Sequence, residues 1–141
     1  MSTTSMKQMW SQLQAYTLTP TGEQRAVNSL NEWGGFSKKL GFPVFTGWRD
    51  HTEFDKEKRT VTALVLDSEW SSPIGVKNQE RWLRHAEQSN KGVAAFLIIH
   101  AVNENATPRK VKYIDDDAVF VGKIIRDGTK TFIVGERRSL T

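Results

Sequence analysis

From Met6 the apolar positions Met6, Met9, Trp10 and Leu13 recur at the i, i+3, i+4, i+7 spacing of one helix face. This predicts an amphipathic N-terminal helix over residues 6–18, behind an unstructured 1–5. Thr19-Pro20 ends it, because proline disfavours helical backbone in the residue before it. Thr21-Gly22-Glu23-Gln24 has the form of a capping box, and Ala26, Val27, Leu30 and Trp33 follow at helical spacing, so a second helix is expected before Gly34-Gly35. From Pro43 the period changes to two. Val44 to Phe54 and Arg59 to Trp70 read as two strands joined by Asp55-Lys56-Glu57-Lys58, with Phe54 opposite Arg59 in the simplest register. The second strand is apolar on both faces and belongs inside a sheet. Lys77 to Asn90 predicts a third helix with Trp82, Leu83 and Ala86 inward, stopped by Lys91-Gly92. Gly92 to Val102 is the most apolar stretch and reads as a central strand. Lys110 to Ile114 suits an edge strand, and Ala118 to Arg126 pairs with Thr129 to Gly135 through an Asp127-Gly128 turn.

The element order is therefore ααββαβ(β)ββ. It predicts an α+β fold: a mostly antiparallel, five- to six-stranded sheet with about three helices, residues 21–141 forming the core. At 141 residues the chain, 1–141, is expected to be a single domain.

Composition removes several chemistries. There is no cysteine, so disulfides, thiolate metal sites and cysteine nucleophiles are excluded, and three histidines make a histidine-rich zinc site a poor fit. No apolar run reaches the roughly 18–20 residues of a membrane span, and the first ten residues lack the apolar core of a signal peptide, so a cytoplasmic protein without membrane contact is expected. No nucleophile elbow or phosphate-cradling glycine loop is present.

The acids Asp50, Glu53, Asp67 and Glu69 gather around the first predicted hairpin with His51. Carboxylates at strand ends in a basic protein suggest a Mg-dependent phosphodiesterase, with Asp67 and Glu69 as metal ligands. The order helix, hairpin, strand, helix, strand over Thr21 to Val102 resembles the PD-(D/E)XK nuclease core, in which an acid on one strand and an E-x-K on the next hold Mg. The chain departs from that motif, since Asp67-Ser68-Glu69 has no lysine two positions after the acid. In the simple register Asp50 faces Ala63, about 13 Å along the sheet from Asp67, too far for one ion. Asp115-Asp116-Asp117 reads as a solvated turn, His85 as an outward helix residue and His100 as a satisfied core histidine.

The net charge is only +4, but the cations are grouped: Lys56, Lys58 and Arg59 in a turn, Arg81 and Arg84 on one helix face, Arg109, Lys110 and Lys112 near an edge strand. Clustered cations beside exposed aromatics bind nucleic acid, the cations through phosphates and the rings through stacked bases. Of five tryptophans, Trp10, Trp33 and Trp82 fall at core spacing, whereas Trp48, next to Arg49, and Trp70 lie beside polar strand ends. These two are the candidates for stacking a base, though the simple register places them on opposite sheet faces. The leading expectation is a cofactor-free nucleic-acid-binding module, DNA before RNA, reading a modified or flipped base in a DNA-processing or defence system. The alternatives are the Mg nuclease just described and a docking module that pairs with a protein partner or a second copy through Met6, Met9, Trp10 and Leu13.

Overall fold

The computed structural model describes residues 4–28 and 32–140. Helix α1, Met6–Gln12, begins at Ser5, whose hydroxyl accepts from Gln8 N while the Gln8 side chain accepts from Ser5 N, a complete capping box. Residue 5 is thus ordered, and the helix stops well short of residue 18. Gln14 takes φ +52° and the chain turns into β1, Ala15–Leu18. Met9, Trp10 and Leu13 are buried in the protein's own core, so the face expected to dock elsewhere is occupied within the chain.

The helix expected after Thr21 is absent: Gln24–Ala26 is strand β2, antiparallel to β1. The supposed capping box is the hairpin turn, with Thr19 Oγ accepting from Glu23 N and Gly22 at φ +86°. Leu30 lies outside the described residues, and Gly34–Ser37 is strand β3. All of β2 is exposed, and it is tied down by Arg25, which forks onto Glu32 at 2.8 and 2.7 Å.

Strand β4, Phe42–Trp48, ends in a single 3-10 turn, Arg49–His51, rather than running on to Phe54. β5, Thr52–Asp55, then pairs with β6, Thr60–Asp67, with Phe54 opposite Val61 instead of Arg59. The loop is Lys56 to Arg59, closed by Arg59 at φ +55°. Helix α2, Pro73–Ser89, starts a turn earlier than expected on the Ser72 cap. Strands β7, Val93–Ala101, β8, Val111–Ile114, β9, Ala118–Asp127, and β10, Lys130–Ser139, complete the fold. Asp127 pairs with Lys130, so the turn residues are Gly128 and Thr129, one place beyond the expected pair, and Gly128 supplies φ +61°.

Among the described residues there are ten strands in one mixed sheet and two α-helices, not five or six strands and three helices. The strand order is β2-β1-β3-β4-β7-β9-β10-β6-β5, with β8 beside the far end of β7; β4 and β7 are parallel and the other pairs antiparallel. One face packs on α1 through Val44, Leu97, Ile99 and Val119. The other curls around α2, burying Phe45, Val65, Trp82, Leu83, Phe96 and Ile133. The curl brings β4 against β6, where a Cβ on Gly47 would stand 2.9 Å from that of Ala63. No described helix is long and apolar enough to cross a membrane.

The Arg25–Glu32 pair predicts an acid sensitivity. Burial of Glu32 disfavours its charge, but hydrogen bonds from Arg25 and from Asn28 N prevail and hold its carboxyl below the usual range. A carboxyl depressed on folding stabilises the protein above its unfolded pKa and ceases to as pH falls through the folded one. Glu32→Gln is expected to cost about 1–3 kcal/mol near pH 7 and to flatten the fall of melting temperature below the carboxylate range. Parallel melting curves for the two proteins from pH 7 to acid would refute this.

Candidate nucleic-acid interface

Helix α2 buries Asn78, Gln79, Trp82, Leu83 and Ala86 and turns Lys77, Arg81 and Arg84 outward. Their i, i+4, i+7 spacing aligns them as one exposed ridge. The loop leading into α2 lays Trp70 beside that ridge. Trp70 is held edge-on to Trp33, ring centroids 5.4 Å apart at 81°. Trp33 in turn fills the space over Gly75, where any side chain would meet its ring. Between loop and helix runs an open groove of about 600 Å³ whose wall includes Ser68, Trp70, Val76, Lys77, Arg81 and Arg84.

The electrostatics of this ridge are set by a network across to β9. Arg126 reaches both Glu80 and Glu87 at 2.8 Å, and Arg84 also donates to Glu80 at 3.0 Å. Burial opposes charge on Glu80, but the bonds from Arg126 and Arg84 hold its carboxyl below the ordinary value, while Glu87 and Glu80 push Arg126 upward. Arg84 and Arg126 are therefore offset by Glu80 and Glu87, while Lys77 and Arg81 carry the rest of the ridge's positive charge, Arg81 also acting on Glu32. Arg81 spends one N–H on the Leu18 carbonyl at 3.0 Å and presents the rest of its guanidinium to solvent.

Trp48 lies elsewhere. It packs against the α1 side of the sheet, Trp70 against the α2 side, so the two form no common cage. Arg109 covers the Trp48 ring at 5.3 Å and grips Asp50 through two bonds of 2.6 and 2.8 Å. The Arg109 hydrogen bonds, against a smaller burial effect, hold the Asp50 carboxyl below its ordinary value. His51 Nε2 stands 3.5 Å from the same carboxylate, and Arg49 bonds Thr52 at 3.2 Å. Trp48, Arg49, Asp50, His51 and Arg109 are thus brought together, but as a clamp satisfied from within. Lys56, Lys58 and Arg59 occupy the exposed β5–β6 turn, and Lys110 and Lys112 lie exposed at β8, away from the α2 groove lining.

The acids do not converge. Asp67 accepts from Glu69 N and shapes the turn after β6, Asp50 belongs to Arg109, and Glu53 lies exposed on β5. Asp115 pairs with His100 at 2.9 Å and Asp117 with Arg137 at 3.4 Å. No three His, Asp or Glu among the described residues stand where they could hold one metal ion. His85, expected to face outward, is half-buried against Phe36 and Trp82.

Sequence reasoning missed Lys77, whose spacing to Arg81 was there to be read, and Arg126, which only the pairing of β9 brings under α2. No family model matches the chain, and neither a curated protein nor a solved structure does.

Proposed function

We propose that this chain is a cytoplasmic nucleic-acid-binding module that contacts its ligand through the outer ridge of α2 and the groove beside it. The observation that carries this reading is the row Lys77, Arg81, Arg84 standing next to the partly exposed Trp70. The three cations follow one helix face over about 10 Å, the axial span of about three phosphates of one duplex strand at ~3.4 Å each. Trp70 offers an indole for a base unstacked from DNA, and the open groove is large enough to admit one. The Trp33 contact holds that indole in place, so little ordering is needed on binding.

Binding of labelled single-stranded and duplex DNA across a salt series tests the reading. The triple variant Lys77→Ala, Arg81→Ala, Arg84→Ala is expected to reduce the log-log salt slope by about 2–3 and affinity by at least ~100-fold at low salt. Trp70→Ala should weaken single-strand binding by roughly 5- to 100-fold with the slope unchanged. Lys56→Ala with Lys58→Ala should change little. Absence of binding by the native chain at about 50 mM salt, or equal binding by the triple variant, overturns the proposal.

A further inference from the structure

Beyond α1 and α2, one stretch of sheet keeps an apolar face that the described residues do not cover. Val119 and Val121 of β9 lie with the α1-side core, and by twos along the strand Lys123 and Ile125 share that face. The register sets Ile125 opposite Phe132 and Phe132 opposite Leu64, an apolar row across β9, β10 and β6. The next row reads Lys123, Val134, Thr62, Glu53 and reaches β5. Ile125 is 47% exposed, and Phe132, Leu64 and Val134 are part-exposed. None of the four joins either core cluster of the described residues.

We infer that this face pairs with a second copy of the chain. The argument is charge complementarity about a two-fold axis. An axis parallel to the strands, between β10 and β6, exchanges β10 with β6 and β9 with β5, so the Lys123 row turns over onto itself with its ends exchanged. Lys123 at one end of its row then meets Glu53 of the second copy, and Glu53 meets Lys123 of the second copy. Nearer the axis, Lys130 and Asp67 are cross-strand neighbours, so the same operation sets Lys130 over Asp67 of the second copy. Between these pairs Phe132 of β10 packs on Leu64 of the second copy's β6, and Ile125 of β9 lies over the β5 side of the second copy. Lys123 spends one donor on the Lys91 carbonyl and Asp67 accepts from Glu69 N, and both keep capacity for a further partner.

The size sets the strength. Four strands at about 4.8 Å and three rows at about 7 Å make a contact of at most about 400 Å² in projection on each copy, and less because this face is the convex side of the curl. That is below the ~800 Å² per partner of a standard stable interface, so the dimer is reversible and populated at micromolar concentrations or above. It leaves both α2 grooves facing outward and does not rest on the nucleic-acid reading.

Sedimentation of the full chain from about 5 to 500 µM tests the inference, a range that brackets weak association. The mean mass should rise from 16.0 kDa towards twice that value. Phe132→Lys should abolish the rise. As that change can disturb folding, the exposed pair provides a second arm. Lys123→Glu and Glu53→Lys should each weaken association by at least ~10-fold, and the double variant should recover most of it. A mass constant at the monomer value overturns the inference. So does a dimer indifferent to both single charge reversals, and so does a monomer that instead binds a different protein through Phe132.

Discussion

Gly122→Ala is expected to leave little folded protein at 25 °C, with a loss of at least ~4 kcal/mol. Gly122 of β9 pairs directly with Gly135 of β10, in the ladder that joins the β7 half of the sheet to the β6 half. A Cβ at Gly122 would fall on the Val134 carbonyl oxygen, and one at Gly135 would come within 2.9 Å of the Phe120 carbonyl carbon. Neither obstacle is the end of a side chain that can swing away, so relief requires the two strands to separate. The cause is the curl. A sheet bent towards α2 crowds its concave face, and there the chain places Gly47, Ala63, Ala94, Gly122 and Gly135. Far-UV circular dichroism with urea titration checks the expectation, and an unfolding midpoint near the native one would refute it.

Trp82→Ala is expected to cost about 3–5 kcal/mol, the range for emptying a buried aromatic site. Trp82 is 2% exposed and touches Tyr16, Phe36 and His85 by ring contacts of 5.4 to 6.0 Å between centroids. Its Nε1 donates to Thr17 Oγ at 3.0 Å, Thr17 donates to Asn78 Oδ1 at 2.7 Å, and Asn78 Nδ2 donates to the Gly34 carbonyl at 2.8 Å. This chain of bonds joins β1 to α2 to β3 through an apolar interior, where a missing partner costs more than at the surface. Trp82→Phe keeps most of the volume but removes the donor and the five-membered part of the ring, so it should cost about 1–2 kcal/mol. Equal losses in the two variants would assign the effect to the hydrogen bonds instead of the ring.

Those two residues also mark where sequence reading succeeds and fails. Trp82 announces itself, because Trp82, Leu83 and Ala86 sit at helical spacing before a glycine stop, although the helix begins at Ser72-Pro73, in a segment that reads as a loop. The central strand at Val93 to Ala101 and the β9–β10 hairpin are equally plain, from unbroken apolar character and an Asp-Gly signal. The segment after Thr21 is not. Ala26, Val27 and Trp33 fit a helical period by coincidence, while Pro20-Thr21-Gly22 closes a hairpin whose second strand has no buried side to reveal it. The strand expected to end at Phe54 breaks at Arg49 in a 3-10 turn that Thr52 closes locally by donating to the Arg49 carbonyl, and the turn's Asp50 is held by Arg109, a partner 59 positions later. In the candidate interface, Trp70, Arg81 and Arg84 follow from local spacing. Arg126 and its hold on Glu80 follow from a sheet register that no local pattern encodes.

The parallel seam between β4 and β7 bears on how the chain acquires its fold. Four neighbour pairs, β1–β2, β3–β4, β5–β6 and β9–β10, are hairpins that close over a few residues. The seams between them are not local: Val44 meets Ala95, about fifty positions on, and Ala63 meets Ile133, about seventy positions on. Hairpins form in roughly 1–10 µs, whereas contacts between distant segments must first meet the entropy of closing long loops. The hairpins are therefore the early units, and the order of assembly is governed by the seams. β7 borders both β4 and β9, so its arrival with α2 joins the β1–β4 side to the β9–β10 hairpin, to which β5–β6 is joined through β6, and refolding should run on the millisecond-to-second scale of non-local β proteins.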